Sequence, residues 1–254
     1  MELQKVGALV AVELKKLYRD LMNLLVLLLM PVGLTLIFYF ALNGITNDYY
    51  PVPGMNHFEY LLPGVMGYSV IYMGMMVALS LVEYRNSGLL KRVEATPVSS
   101  STYLGSLIIA NMFSAVFQAL IVLLVAWLLG FKPQGGLVGL LMAALFLALL
   151  AITAVGLGLI TAAVSKDTGV AGGLAVIYIL PMMMFGALLA VFNEATRNIA
   201  RFMPNYYVSD SLSLIFHQGK ISDPVIWQNL LILAIISLVI VALGIQIFKK
   251  TAYR

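Results

Sequence analysis

The residues best placed to do chemistry lie in one polar stretch, residues 83–102, which reads EYRNSGLLKRVEATPVSSST. The chemistry on offer is recognition. Leu89, Leu90 and Val93 make a short apolar face, and Lys91, Arg92 and Glu94 make the opposite one. The pattern predicts a short amphipathic helix between two long apolar stretches. Pro97 predicts its end, because the residue before proline is pushed out of the α region. Ser99, Ser100 and Ser101 then offer N-caps for a following helix. Covalent chemistry has little to work with. The chain holds no P-loop, H-E-x-x-H or G-x-S-x-G sequence. It has no cysteine and two histidines, His57 and His217, so no catalytic or cofactor-binding set is predicted, nor a histidine-rich metal site. Asp210, His217 and Asp223 share one loop, but their spacing fits no catalytic template.

A second set of polar and soft residues sits inside apolar stretches. Asn111, Ser114 and Gln118 fall on one helical face. Interhelical hydrogen bonding is the favoured reading, over lining a substrate pathway. Tyr68, Tyr72, Met75 and Met76 form one strip, and Tyr178, Met182 and Phe185 another. Methionine-rich aromatic surfaces accept varied apolar ligands. Ordinary packing is again the favoured reading. Tyr39, Tyr49, Tyr50 and Tyr60 could line a wider channel.

The elements that must position these residues are apolar helices. Six stretches, 24–42, 60–82, 103–130, 137–164, 170–192 and 230–248, contain no Lys, Arg, Asp or Glu. Each is long enough to cross a hydrocarbon core of about 30 Å at about 1.5 Å per residue. The chain is 62% hydrophobic and 10% charged, where soluble domains carry about 25% charge. No independent soluble domain fits in what remains. Residues 1–254 therefore read as one membrane domain. Eleven of the fifteen basic residues fall on the side that holds both termini. The positive-inside rule places that side in the cytoplasm, and it accounts for the net charge of +4 without nucleic acid. The first apolar run is too long for a cleavable signal and lacks a small-x-small site at its end.

Residues 1–22 read as an amphipathic interfacial helix, with Leu3, Val6, Val10, Leu14, Leu17 and Leu21 on one stripe. Pro31 and Pro181 interrupt spans, whereas Pro63 is expected in a first turn that tolerates it. Residues 193–229 form an outer loop whose apolar residues suit short helices capping the bundle. Gly156, Gly158 and the Gly169/Gly173 pair are expected at close helix contacts.

The stretch VELKKLYRDLMNLLVLLLMPVGLTLIFYF, the segment EYRNSGLLKRVEATPVSS and the outer stretch FMPNYYVSDSLSLIFHQG occur in this order around six spans. In that arrangement the chain resembles the type-2 ABC transporter permeases, the membrane subunits of bacterial and archaeal exporters of drugs, lipids or polysaccharides. The resemblance implies an all-α polytopic fold with an N-terminal interfacial helix, a cytoplasmic coupling helix and short outer helices before the last span. It implies that Glu83, Arg85, Gly88, Leu89, Leu90, Val93 and Pro97 belong to the segment that docks on a cytoplasmic ATPase. ATP and Mg would be held by that partner, and no cofactor by this chain. Arg85 or Arg92 would pair with partner carboxylates. A second permease chain, favoured as a homodimer, and membrane lipid complete the implied setting in the cytoplasmic membrane. The expected cargo is hydrophobic or amphipathic. Polysaccharide or glycolipid export, an integral membrane enzyme and a non-transporting scaffold are the alternatives.

Overall fold

In lipid every backbone polar group must find its partner inside the protein, so apolar sequence of this length folds as helix. A computed structural model describes residues 2–42, 44–45, 55–96, 98–188 and 194–252. Along the chain run α1 (Glu2–Arg19), α2 (Leu21–Leu42), α3 (His57–Asn86), α4 (Leu89–Glu94) and α5 (Ser100–Leu128). They are followed by α6 (Gly136–Val164), α7 (Thr168–Met183), a π-helical turn (Met184–Leu188), α8 (Glu194–Ala200), α9 (Pro204–Gln218) and α10 (Pro224–Ala252). Six segments are long and apolar enough to cross a membrane, in α2, α3, α5, α6, α7 with its π turn, and α10. The chain is an all-α polytopic membrane protein. Pro97, Tyr49 and Tyr50 lie outside the described residues.

Capping chemistry sets helix ends that charge counting misses. Asn56 Oδ1 accepts the Glu59 N–H at 2.8 Å, and Glu59 Oε2 accepts the Asn56 N–H at 3.2 Å. This reciprocal capping box starts α3 at His57. Ser99 caps α5, its Oγ accepting the Thr102 N–H at 3.1 Å. Asp167 caps α7.

The core is built on α6, which packs along α3 on one side and α10 on the other. Small residues allow the approach. A Cβ at Gly158 would stand 2.5 Å from the Gly74 carbonyl oxygen, and one at Gly244 would stand 2.6 Å from that of Gly156. Close contact at Gly156 and Gly158 therefore agrees with expectation. Gly173 has open space where its Cβ would be, and Gly169 meets only the nearby Asp167, so that pair makes no close helix contact. Thr153 and Ser237 add a hydrogen bond between α6 and α10, at 2.9 Å.

Each interior proline removes one N–H from the helical ladder and strands the carbonyl four residues earlier. At Pro31 the stranded carbonyl belongs to Leu27, and Gln118 Nε2 of α5 donates to it at 2.6 Å. Pro63 differs from expectation. With α3 starting at His57, it is inside the helix rather than in its first turn. Its stranded carbonyl, that of Glu59, is taken by His217 Nε2 of α9 at 2.9 Å. Three residues after Pro181 the π-helical turn begins, and its first N–H, that of Met184, bonds to the carbonyls of Leu180 and Pro181.

At one end of the bundle α1 packs against α5 through its apolar stripe, with Val10 only 8% exposed. At the other end α9 packs on α3, α6 and α10 and buries Val208, Leu212, Ile215 and Phe216. The apolar residues of α9 in this stretch thereby close the bundle end, while Phe202 and Trp227 stay exposed.

Candidate functional site

Residues 83–96 join α3 to α5 at the bundle end that also holds α1, the α6–α7 turn and the end of α10. The chain leaves α3 through Ser87 and Gly88. Gly88 has φ +73°, a left-handed conformation that side-chain-bearing residues rarely adopt. It redirects the backbone into the six-residue α4.

The apolar face of α4 does not point where the sequence suggests. Leu90 is 2% exposed and belongs to the same buried cluster as Leu81, Val82, Leu104, Leu107 and Phe248. Leu89 and Val93 are half-buried, and Lys91 and Arg92 are exposed. The reason is geometric. So short a helix lies on the bundle end, and an apolar residue facing inward leaves water by packing on its own chain. The surface that remains free combines Lys91 and Arg92 with the edges of Leu89 and Val93. Glu83 is exposed beside it.

Arg85 is engaged within the chain. Its guanidinium donates to the Ala162 carbonyl oxygen at 3.1 Å and, through Nη2, to that of Ser165. Both are carbonyls at the C-terminus of α6, where a cation also complements the helix dipole. Asn86 Nδ2 reaches the Lys166 carbonyl at 3.4 Å. The end of α3 is thus tied to the α6–α7 turn. On the far side Lys249 Nζ donates to Ser101 Oγ at 2.6 Å, joining the end of α10 to the start of α5.

A cavity of about 920 Å³ opens beside this assembly. One wall is α1 from Val12 to Asp20. Tyr84, Ser80, Val77, Met76 and Met73 of α3 form the second, and Leu107, Ala110, Asn111 and Ser114 of α5 the third. Leu27 of α2 also lines it. Lys16 bonds Glu13 at 2.9 Å and lies 4.9 Å from the centre of the Tyr84 ring. Burial pushes the Lys16 ammonium down, but the hydrogen bond and charge of Glu13, with Tyr84 adding, outweigh it and hold Lys16 above its usual value.

The residues singled out as a pathway divide between three places. Met76, Asn111 and Ser114 line the cavity. Asn111 Nδ2 donates to the Leu107 carbonyl at 2.8 Å and Ser114 Oγ to that of Ala110 at 2.9 Å, both within α5. Gln118 is fully buried and holds the Leu27 carbonyl, so the interhelical reading applies to it. Tyr68, Met75, Tyr178 and Met182 pack in the core between α3 and α7. Tyr72 and Phe185 are half-buried and join neither group. Tyr39 packs edge-on against Phe58 at 5.3 Å, and Tyr60 stacks on His217 at 6.4 Å. The cationic wall of the cavity, Lys15 and Arg19, was not anticipated. The charged face of the amphipathic α1 was its only sequence signal.

At the opposite end the three groups that an enzyme would need to converge are apart in role. His217 is 6% exposed. Its Nε2 must donate to the Glu59 carbonyl, so its Nδ1 accepts from Ser213 Oγ at 3.0 Å. Burial pushes its pKa down to about 4, partly opposed by the Glu59 carbonyl, and the ring is held neutral. Asp210 bonds Asn229 at 2.9 Å, and Asp223 caps α10 through the Val225 N–H at 3.0 Å.

The model of the family described as "ABC-2 type transporter" matches residues 4–217, from the first turn of α1 to the end of α9. No curated protein sequence matches the chain.

Proposed function

We propose, on the premise that this chain belongs to the ABC-2 type transporter family and is an ABC transporter permease subunit, that it moves a hydrophobic or amphipathic molecule outward across the cytoplasmic membrane. The family match over most of the chain carries this reading. In it, both termini, α1, α4 and the α6–α7 turn face the cytoplasm, and two copies of the chain form the pathway. A cytoplasmic ATPase subunit binds ATP and Mg and supplies the energy.

The free surface around α4 is where that subunit docks. Lys91 and Arg92 meet its carboxylates, and Leu89 and Val93 contribute apolar edge. Leu90 holds α4 to α3 and α5, so a push on α4 reaches both helices. Arg85 carries the same push to the end of α6. Because α6 packs tightly on α3 and α10 through glycine contacts, those helices shift as bodies and not as independent rods.

Mild-detergent recovery of the tagged chain from its native membrane tests the reading. A soluble subunit bearing a P-loop is expected in near-stoichiometric amount. ATP-dependent movement of a fluorescent amphiphile in vesicles holding the recovered complex is the second expectation. An intact six-span chain that brings down no such subunit would overturn the proposal.

A further inference from the structure

We infer that the cavity between α1, α3 and α5 binds an anionic amphiphile, with a phosphate-type headgroup at Lys15 and Arg19 and alkyl chain against α3 and α5. The cavity volume of about 920 Å³ falls in the range of sites for whole small molecules. Its polarity runs along its depth. The α1 wall carries Glu13, Lys15, Lys16, Arg19 and Asp20. Lys16 is engaged by Glu13, and neither Lys15 nor Arg19 has an ion-pair partner among the described residues. Asp20 stands on the same wall and leaves the balance positive. Deeper, the lining is mostly apolar, with Val77, Met76, Met73, Leu107 and Ala110, and the polar Asn111 and Ser114 beside them are already bonded to carbonyls of their own helix.

The dimensions fit the same occupant. From Tyr84 to Met73 the cavity follows α3 for about 16 Å at about 1.5 Å per residue. That is close to one leaflet of a hydrocarbon core about 30 Å thick. A charged mouth and a slot with a mostly apolar wall, which together span about one leaflet, are complementary to a lipid-like anion. Met73 and Met76 give the slot adaptable walls that follow chains of differing shape. A free phosphate would use the mouth and leave the slot unfilled. Taking this occupant as the cargo class rests on the export reading above, whereas the binding itself does not.

The test uses the purified full chain in zwitterionic nanodiscs or mild detergent, with binding read by native mass spectrometry. The probes are dioleoyl phosphatidylglycerol, dioleoyl phosphatidylcholine and glycerol 3-phosphate. Phosphatidylglycerol is expected to bind about tenfold more tightly than phosphatidylcholine, as for an anion at a basic surface. The double variant K15Q/R19Q, which changes two exposed side chains, should remove that preference and keep the melting temperature. Met76→Trp, which fills the slot, should weaken both lipids. Lys166→Gln, at the same bundle end outside the cavity, should change nothing.

Equal binding of the two lipids overturns the inference. So does a preference that survives K15Q/R19Q, or competition by glycerol 3-phosphate as effective as that by the lipid. Each of those outcomes leaves the export reading standing. Loss of the ATPase subunit from the pull-down sinks the export reading and leaves lipid binding intact.

Discussion

Gln118 of α5 donates its Nε2 hydrogen to the Leu27 carbonyl of α2 at 2.6 Å, and that carbonyl is the one stranded by Pro31. The same device recurs at the other end, where His217 serves the carbonyl stranded by Pro63. In each case a proline opens a helix and a side chain from a distant helix closes it.

The Gln118 bond should behave as a coupled pair with Pro31. Gln118→Met leaves a buried carbonyl unpaired and should cost about 1–2 kcal/mol. In a Pro31→Ala background the backbone N–H of residue 31 can serve Leu27 itself, so the same change should cost about half as much or less. Thermal unfolding of the four proteins in detergent gives the cycle. Strictly additive effects would show that the bond does not compensate for the proline.

The pH dependence of stability should carry a signature of His217. Its folded pKa is pushed down to about 4, below the ordinary value of 6.5. The unfolded chain therefore takes up the proton first. The contribution is present in full above about pH 6.5 and is lost as pH falls toward 4. Between pH 6.5 and pH 5 the loss should be about 2 kcal/mol. His217→Gln keeps a donor for the Glu59 carbonyl and does not titrate, so its melting temperature should be flatter over that window. Parallel slopes for the two proteins would remove His217 from the explanation.

Glycine contacts make a graded prediction. Gly158→Ala drives a Cβ to 2.5 Å from the Gly74 carbonyl and should destabilise by about 1–3 kcal/mol. Gly173→Ala meets open space and gains helix propensity, so it should be neutral or up to about 1 kcal/mol stabilising. Melting temperatures of the two single variants decide the matter, and a reversed order would contradict the packing of α6 on α3.

On α4, neighbouring residues should give different failures. Leu90→Asp buries a charge in the chain's own core and should lower expression and melting temperature severely. Lys91→Glu with Arg92→Glu should leave melting unchanged and reduce recovery of the ATPase subunit by about tenfold or more. A charge reversal that leaves recovery intact would move the docking surface away from α4.

Arg85→Gln should separate docking from transport. It removes the bidentate hold on the α6 carbonyls without touching the exposed face of α4. ATPase association should persist while ATP-driven transport falls about tenfold or more. Equal loss of both would mean that Arg85 contacts the partner directly.

The number of spans is legible in the sequence, because helix length and absence of charge are local properties and lipid admits no other fold for such segments. The short helix between α3 and α5 is legible in the same way, and so is a serine cap for α5, which Ser99 provides, since caps act over three or four residues. The direction in which Leu90 faces is not legible there, because burial depends on what α3, α5 and α10 place beneath it. The partners of Arg85, Gln118 and His217 are likewise out of reach. Gln118 meets a carbonyl 91 residues away and His217 one 158 residues away, and no local pattern encodes such pairings. The cavity belongs to the same class of fact. Its walls are single faces of separate helices, and it exists because α1 packs on α5 beside α3.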